Sequence, residues 1–406
     1  MIALVDMDSF FASIEQFDQP ELFGHPVAVT NGLQGTCIIT RSYEARYWGI
    51  KTGMRLKEAK KLCPGIIQRP SRPKRYAEIS TNIMHALTAI TPDIEVYSVD
   101  EAFLELTHCQ KIIRSPEVIA NKIQNLVSEI SGLSCSIGIS GDKTTAKYAA
   151  KQNKPHGITI IHPEKSAETL SDAPVTDLCG IAKGIERFLN AHGVYKCGDM
   201  KNIPISVLGK HFGHPGRRIW LMAQGKDPER IKTDIAEPKS IGHGKVMPPN
   251  TKSIKIILMY LQHMSEKVGS RLRKHHLKSD CFYIGIKCKK GWIGDRMKCP
   301  YPTDDGKSIM KLGRQMILER WTGEGINQIQ VTAVRPKALG QQIDFLEDTN
   351  QNTHAREKNR VMDLINNRYG DLTIAPSNLI KRSSMPDVIA PAWKPCLLYT
   401  SPSPRD

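Results

Sequence analysis

Acidic residues are scarce in this chain. Its 406 residues hold 41 Asp and Glu against 57 Lys and Arg, a net charge of +16 and a pI near 9.3. A chain this basic is expected to meet a polyanion, of which nucleic acid is the commonest. No run of about 18 apolar residues occurs, so no membrane-spanning helix and no membrane partner are expected. The opening Met1-Ile2-Ala3-Leu4-Val5-Asp6 lacks the basic segment of a secretory signal, so the expected location is cytoplasmic. None of the ten cysteines stands in CxxC spacing, and a reducing compartment disfavours disulfides. Cys281, Cys288 and Cys299 with His275 and His276 match no standard zinc pattern, so free thiols are the better expectation. Aromatics are only 6% of the chain, internal repeats are absent, and the mean hydropathy is −0.34 with scattered apolar residues. The length still exceeds one core and predicts roughly two to four globular domains.

What is present begins with a short apolar run, residues 2–5, ending in Asp6. It reads as a buried strand with acids at its carboxyl end. Helical spacing follows over 9–17, strands over 27–30 and 37–40, and short helices over 42–49 and 55–63. Residues 76–90 carry the 3–4 spacing of an amphipathic helix that stops before Pro92. Two apolar strands, 94–99 and 102–106, flank Asp100-Glu101 and predict a hairpin. A helix over 116–131, a strand over 134–140, a basic helix over 143–153 and a strand over 158–161 complete an α+β pattern with an antiparallel sheet.

From about 166 the pattern turns helical. Val175–Gly184 resembles a helix-hairpin-helix element, in which backbone N–H groups near Gly180, Lys183 and Gly184 would approach a DNA phosphate. Ala182 stands where such elements usually carry a second glycine. Residues 237–250 read as a linker feeding a strand. Residues 239–335 carry 19 Lys and Arg against 7 Asp and Glu, an excess of +12. Strands are expected there at 281–288 and 329–334, and helices at 254–274 and 308–321. Past Pro336 the chain turns polar, and compactness is expected to end. The last eleven residues, 396–406, resemble the translation of a sequencing-library adapter and are set aside.

Asp6 and Asp8 lie over ninety residues from Asp100-Glu101. An isolated Asp-Glu pair in a turn is usually a solvated turn. Acids at the end of a buried strand and at the tip of an apolar hairpin can instead converge on hard cations. Mg²⁺ takes one or two carboxylates per ion plus phosphate oxygens, and two such ions suit displacement at phosphorus.

Asp6-Met7-Asp8-Ser9-Phe10-Phe11, Tyr43-Glu44-Ala45-Arg46, Tyr97-Ser98-Val99-Asp100-Glu101-Ala102-Phe103 and Lys154-Pro155-His156-Gly157 stand in a family's order. With them the chain, to about Pro336, resembles the Y-family translesion DNA polymerases of the bacterial polymerase IV and polymerase V types. The resemblance implies an α+β multidomain right hand. It would have a ferredoxin-like palm (1–10 and 75–165), small fingers (11–74) and a helical thumb with the helix-hairpin-helix (166–235). A linker and leading strand (236–250) would open an α/β little finger (239–336), followed by a clamp-binding motif and tail (337–395).

It also implies low-fidelity, template-directed DNA synthesis in damage tolerance, with primer-template DNA and dNTP as partners. Asp6, Asp100 and Glu101, with the Met7 carbonyl, would ligate two Mg²⁺ ions. Thr40, Tyr43, Arg46 and Lys154 would grip the triphosphate. Phe11 would be a steric gate against a 2′-hydroxyl. Lys239 and Ser240 would open the DNA-binding little finger. Gln342, Ile343, Phe345 and Leu346 resemble a sliding-clamp motif, with Phe-Leu reversing the commoner order.

No second acidic constellation follows residue 161, so no proofreading is expected. Cys37–Arg41 and the tail look like the polymerase V type, which raises an accessory subunit. Asp8, Tyr43 and Lys154–Gly157 look like polymerase IV. Two other readings compete. An inactive polymerase-like adaptor would not need the three acids. A nucleotidyl cyclase would show a Gly-Gly-Asp/Glu-Glu-Phe hairpin and would not need the basic block.

Overall fold

The computed structural model describes residues 1–33, 36–109, 115–234, 237–338, 349–370 and 372–379. Two compact units divide the chain, one built on Met1–Ile235 and the other on Ala236–Pro386.

The first unit opens with β1 (Ile2–Met7), α1 (Phe10–Asp18), β2 (Val27–Thr30), β3 (Ile38–Arg41), α2 (Tyr43–Tyr47), α3 (Leu56–Leu62), β4 (Ile67–Pro70) and α4 (Pro73–Leu87). It continues with β5 (Ile94–Val96), β6 (Glu101–Glu105), α5 (Pro116–Ser131), β7 (Cys135–Ser140), α6 (Lys143–Gln152) and β8 (Ile158–Ile160). Four helices close it: α7 (Ser166–Ser171), α8 (Lys183–Ala191), α9 (Ile205–Phe212) and α10 (His214–Met222).

The main sheet has the order β5-β6-β1-β7-β8. β1 is buried over its whole length because both faces of the sheet are covered. Ala3, Val5 and Met7 join the core shared with α4 and α5, while Ile2 and Leu4 join Ala146 and Ala150 of α6. Gly138 of β7 makes the close seat of α6 possible, because a Cβ there would lie 2.1 Å from the Ala146 carbonyl oxygen. The sheet is not wholly antiparallel as the pattern suggested. β8 runs parallel to β7, since α6 carries the chain back across the sheet face. A small sheet, β3-β2-β4, packs over Ala28, Ile38, Ala45 and Ile50. In the helical part, Val175–Asp177 is a single 3-10 turn that leads through Gly180 into α8.

The second unit comprises β9 (Ser240–Thr251), α11 (Ile254–Lys274), β10 (Leu277–Cys288), β11 (Gly291–Thr303), α12 (Gly306–Arg320), β12 (Ile326–Val334), β13 (Lys337–Ala338) and α13 (Thr349–Tyr369). Its sheet order is β11-β10-β12-β9, with β13 added beside β10. Two corrections arise here. The stretch read as a linker is most of β9, and β11 was not foreseen. Both are edge strands, where Pro248, Pro249, Pro300 and Pro302 cost no essential ladder hydrogen bond. A third correction concerns the chain past Pro336, which was expected to lose compactness. α13 lacks an apolar stripe, yet polar ties secure it: Arg273 forks onto Asp363, and Asn359 donates to Asp305 at 3.1 Å. The cysteines of the described residues are free, and no metal-holding group of His, Cys, Asp or Glu is found among those residues.

His243 of β9 is buried, and its Nε2 has no hydrogen-bond partner. Burial, then the charges of Arg271 and Lys267, and next His263 and Lys245, hold its pKa down to about 3. The folded chain therefore binds fewer protons here than the unfolded chain at any pH between about 3 and 6.5. Stability is fully present above pH 6.5 and falls as pH drops. By pH 5 the loss is about 2 kcal/mol. Thermal unfolding should show His243→Leu losing several degrees less than wild type between pH 7 and pH 5. Parallel losses in the two proteins would refute the assignment.

Candidate active site

The site forms where β1 ends. Register places Asp6 directly opposite Glu101 on one side and Ser136 on the other. The Met7 amide donates to the Asp100 carbonyl at 2.9 Å, which draws the hairpin tip against the strand end. Asp6 and Glu101 share strand parity with Leu4 and Phe103, and so project to the α6 side of the sheet. Carboxylates gathered this way repel. Asp6 is pushed up to about 6, chiefly by burial, with Glu101 and Asp100 adding to it and Lys154 opposing. Asp100 is raised as well, again first by burial, against a 2.6 Å hydrogen bond from Ser98.

Two lysines answer this charge. Lys154 pairs with Asp6. Lys147 of α6 grips both oxygens of Glu101 at 2.6 and 2.7 Å and lies 4.5 Å from the Tyr97 ring centroid. Burial works against the Lys147 charge, but Glu101 outweighs it and its pKa is raised. The sequence reading missed Lys147. The signal was available in the i, i+4 spacing of Lys143, Lys147 and Lys151 on the basic helix. Asp6 and Glu101 are thus held by ammonium groups, and Asp100 by the Ser98 hydroxyl, rather than preassembled at ligand geometry. Their chemistry nonetheless fits a hard cation: three carboxylates at adjoining register positions, beside the main chain of Met7, already require cationic partners.

Asp8 has a different part. It is 1% exposed and accepts from Tyr43 Oη at 3.2 Å, Ser134 Oγ at 3.0 Å, Ser136 Oγ at 2.8 Å and the His156 amide at 2.8 Å. Four donors occupy its oxygens, so it ties β1, β7, α2 and the Lys154–Gly157 turn together. It also fixes where Tyr43 and Lys154 stand.

Tyr43 and Arg46 come from α2, capped by the Ser42 hydroxyl. The Arg46 guanidinium sits 4.3 Å over the Tyr43 ring and donates to Ser9 Oγ at 2.7 Å. Its buried Nε–H has no hydrogen-bond partner. A buried charged donor left over is costly unless a ligand completes it. Burial, then the Asp8 charge, raises the Tyr43 phenol, which stays a neutral donor. Thr40 is half-buried on β3, opposite Val29 of β2.

Phe11 of α1 is buried. Its ring stacks on Tyr76 at 4.4 Å and 14°. Tyr76 Oη donates to Glu15 Oε1 at 2.7 Å, and Arg72 meets the same carboxylate at 2.8 Å. Tyr76 and Glu15 were not foreseen, because a Tyr on an amphipathic helix reads as ordinary core.

The remaining candidates lie elsewhere. Gly180 takes φ +92 in the turn before α8, and Lys183 and Gly184 begin that helix on the surface. Lys239 is exposed, its carbonyl accepting from the Arg335 amide at 3.0 Å, and Ser240 starts β9 opposite Val334. Gln342, Ile343, Phe345 and Leu346 fall outside the described residues.

The chain has relatives among known proteins. Residues 5–151 match the impB/mucB/samB family, and residues 238–345 match that family's C-terminal domain. DNA polymerase IV of Moorella thermoacetica is 31% identical over 382 residues, covering 92% of this chain and 94% of that protein. DNA polymerase IV of Clostridium kluyveri is 32% identical over 395 residues, covering 94% and 99%. DNA polymerase IV 2 of Bacillus subtilis is 29% identical over 394 residues, covering 92% and 93%. Among solved structures, a Y-family DNA polymerase chimera superposes with a TM-score of 0.73 at 27% identity. The match covers 84% of this chain and all of the chimera.

Proposed function

The chain belongs to the impB/mucB/samB family and is a Y-family, DNA-directed translesion DNA polymerase, and from this premise we propose a low-fidelity two-metal nucleotidyl transfer without proofreading. The observation that carries it is the register of Asp6 on Glu101 with Asp100 drawn against Met7. Asp6, Asp100, Glu101 and the Met7 carbonyl would hold two Mg²⁺ ions. The chemistry supplied by such ions, when bound, would be a lowered pKa for a primer 3′-hydroxyl and charge neutralisation of the leaving pyrophosphate.

The chain's own groups do the rest. Lys154 holds Asp6 and Lys147 holds Glu101 in place until they are needed. Lys154, Tyr43, Arg46 and Thr40 grip the triphosphate, and the buried Nε–H of Arg46 gains its missing acceptor. Phe11, backed by Tyr76, meets the sugar. The palm would span 1–10 and 75–165, the fingers 11–74 and the thumb 166–235, and the little finger would open on a full strand, β9. Gly180, Lys183, Gly184, Lys239 and Ser240 contact DNA phosphates. The direct test is primer extension with Mg²⁺ on undamaged and abasic templates, comparing wild type with Asp100→Asn/Glu101→Gln. Equal activity would refute the mechanism.

The segment Gln342–Leu346 serves as a sliding-clamp peptide, its Gln side chain and apolar anchors filling a pocket. Deleting 342–346 should abolish clamp binding in pull-down and remove clamp-stimulated synthesis while leaving clamp-free extension intact. Undiminished clamp binding would exclude the motif.

A further inference from the structure

Two adjoining cavities open in the second unit, where the end of α11, the start of β10 and the end of β11 meet α12 and α13. The larger, of about 670 Å³, is lined by five Lys and Arg against two Asp. Both oxygens of Asp363 already meet Arg273, whose Nη1 also donates to the Asp304 carbonyl at 2.7 Å. That leaves Lys274, Lys278, Arg356 and Arg360 in the lining, with Asp304 as the remaining acid. Burial raises the Asp304 carboxyl, while Lys278 and Arg273, and then Arg356, act to lower it. Lys278 of β10 and Arg356 of α13 are therefore neighbours of one carboxylate, from two different elements.

The smaller cavity, of about 420 Å³, shares Lys278, Asp304 and Arg356 with the larger. Tyr301, Pro302, Lys298 and Lys311 line it as well. Its other acid, Asp305, caps α12 and accepts from the Ser308 amide at 2.9 Å and from Asn359 at 3.1 Å. Tyr301 remains 45% exposed. Both volumes fall in the range of small-molecule sites. A cationic chamber joined to one walled by an aromatic ring and a proline suits a ligand that is anionic at one end and a flat ring at the other. Duplex DNA keeps its bases stacked inside and presents phosphates along an outer ridge, so it cannot lay a ring beside Tyr301.

We propose that these cavities form a second nucleotide site, built on residues the active site does not use, that binds a nucleoside di- or triphosphate. The phosphates lie among Lys274, Lys278, Arg356 and Arg360, and the base lies against Tyr301. Because Lys278 and Arg356 belong to β10 and α13, the bound phosphates also tie α13 to the sheet.

The test is equilibrium dialysis of the full chain against radiolabelled ATP, with EDTA present to disfavour the active site. Wild type should bind about one equivalent with micromolar affinity. Arg356→Glu and Lys278→Gln should each weaken ATP at least about tenfold, and Tyr301→Ala about tenfold. Inorganic triphosphate should displace ATP less effectively than unlabelled ATP does. Arg356→Glu should leave duplex DNA affinity, read by anisotropy, within about twofold. Circular dichroism confirms that each variant is folded. A wild type that held no ATP would overturn the site. So would ATP binding that survived in Arg356→Glu and was lost in Arg46→Ala, since the ligand would then sit in the active site. Equal losses of ATP and duplex in Arg356→Glu would overturn it in favour of a DNA-backbone surface. Unchanged affinity in Tyr301→Ala, with triphosphate displacing as well as ATP, would overturn the nucleotide assignment.

Discussion

Replacing Asp100 and Glu101 by Asn and Gln should abolish primer extension, with a fall of at least about a thousandfold in rate. The two substitutions preserve shape and remove two of the three negative charges on which the proposed chemistry depends. The fold should tolerate them. Burial and mutual repulsion already raise the pKa of Asp100, so neutralising it relieves an electrostatic cost. Lys147 loses its charged partner, but the ammonium keeps the Tyr97 ring and solvent within reach. Duplex binding should remain near wild type, because the cations proposed to contact phosphates lie in other elements. Rapid-quench kinetics with saturating dNTP, read beside anisotropy of the same preparations, separates the two effects. Full activity with intact binding would exclude these carboxylates from the chemistry. Lost binding would mean that the substitutions had disturbed more than the site.

Phe11→Ala should relax discrimination against ribonucleotides by about a hundredfold, which is the order that shape alone achieves against one added hydroxyl. Phe11 is held flat by Tyr76, and Tyr76 is held by Glu15 and the arginines around it. The ring therefore cannot swing away to admit a 2′-hydroxyl without disturbing a buried ionic network. Truncation removes the obstruction and leaves that support in place. The measurement is the ratio of kcat/KM for dNTP to that for rNTP on one template. Phe11→Leu keeps most of the volume and should lie between wild type and alanine. An unchanged ratio in the alanine variant would remove Phe11 from sugar selection.

Much of this molecule was legible before its structure. β1 was marked by continuous apolar residues ending in an acid, because a strand covered on both faces has no polar side to show. Helices over 116–131 and 254–274 were found to the residue, since amphipathic spacing and clear boundaries agree there. The acids were readable as separate short motifs, although nothing in their spacing says that residues 6 and 101 are opposite neighbours. Edge strands β9 and β11 were obscured by prolines, which mark a turn in an interior strand and are harmless on an edge. α13 was obscured because polar bonds to another element, rather than an apolar stripe, secure it.

The sequence by itself determined the charge, the family and the candidate acids, because each of these is carried by residue types in order along the chain. Only the tertiary structure decided how those groups are held. Asp8 proved to be a buried hub for four donors, Lys147 the counterion of Glu101, and Tyr76 the support of Phe11. Those roles depend on distances between residues tens of positions apart in the chain, set by strand register and helix packing.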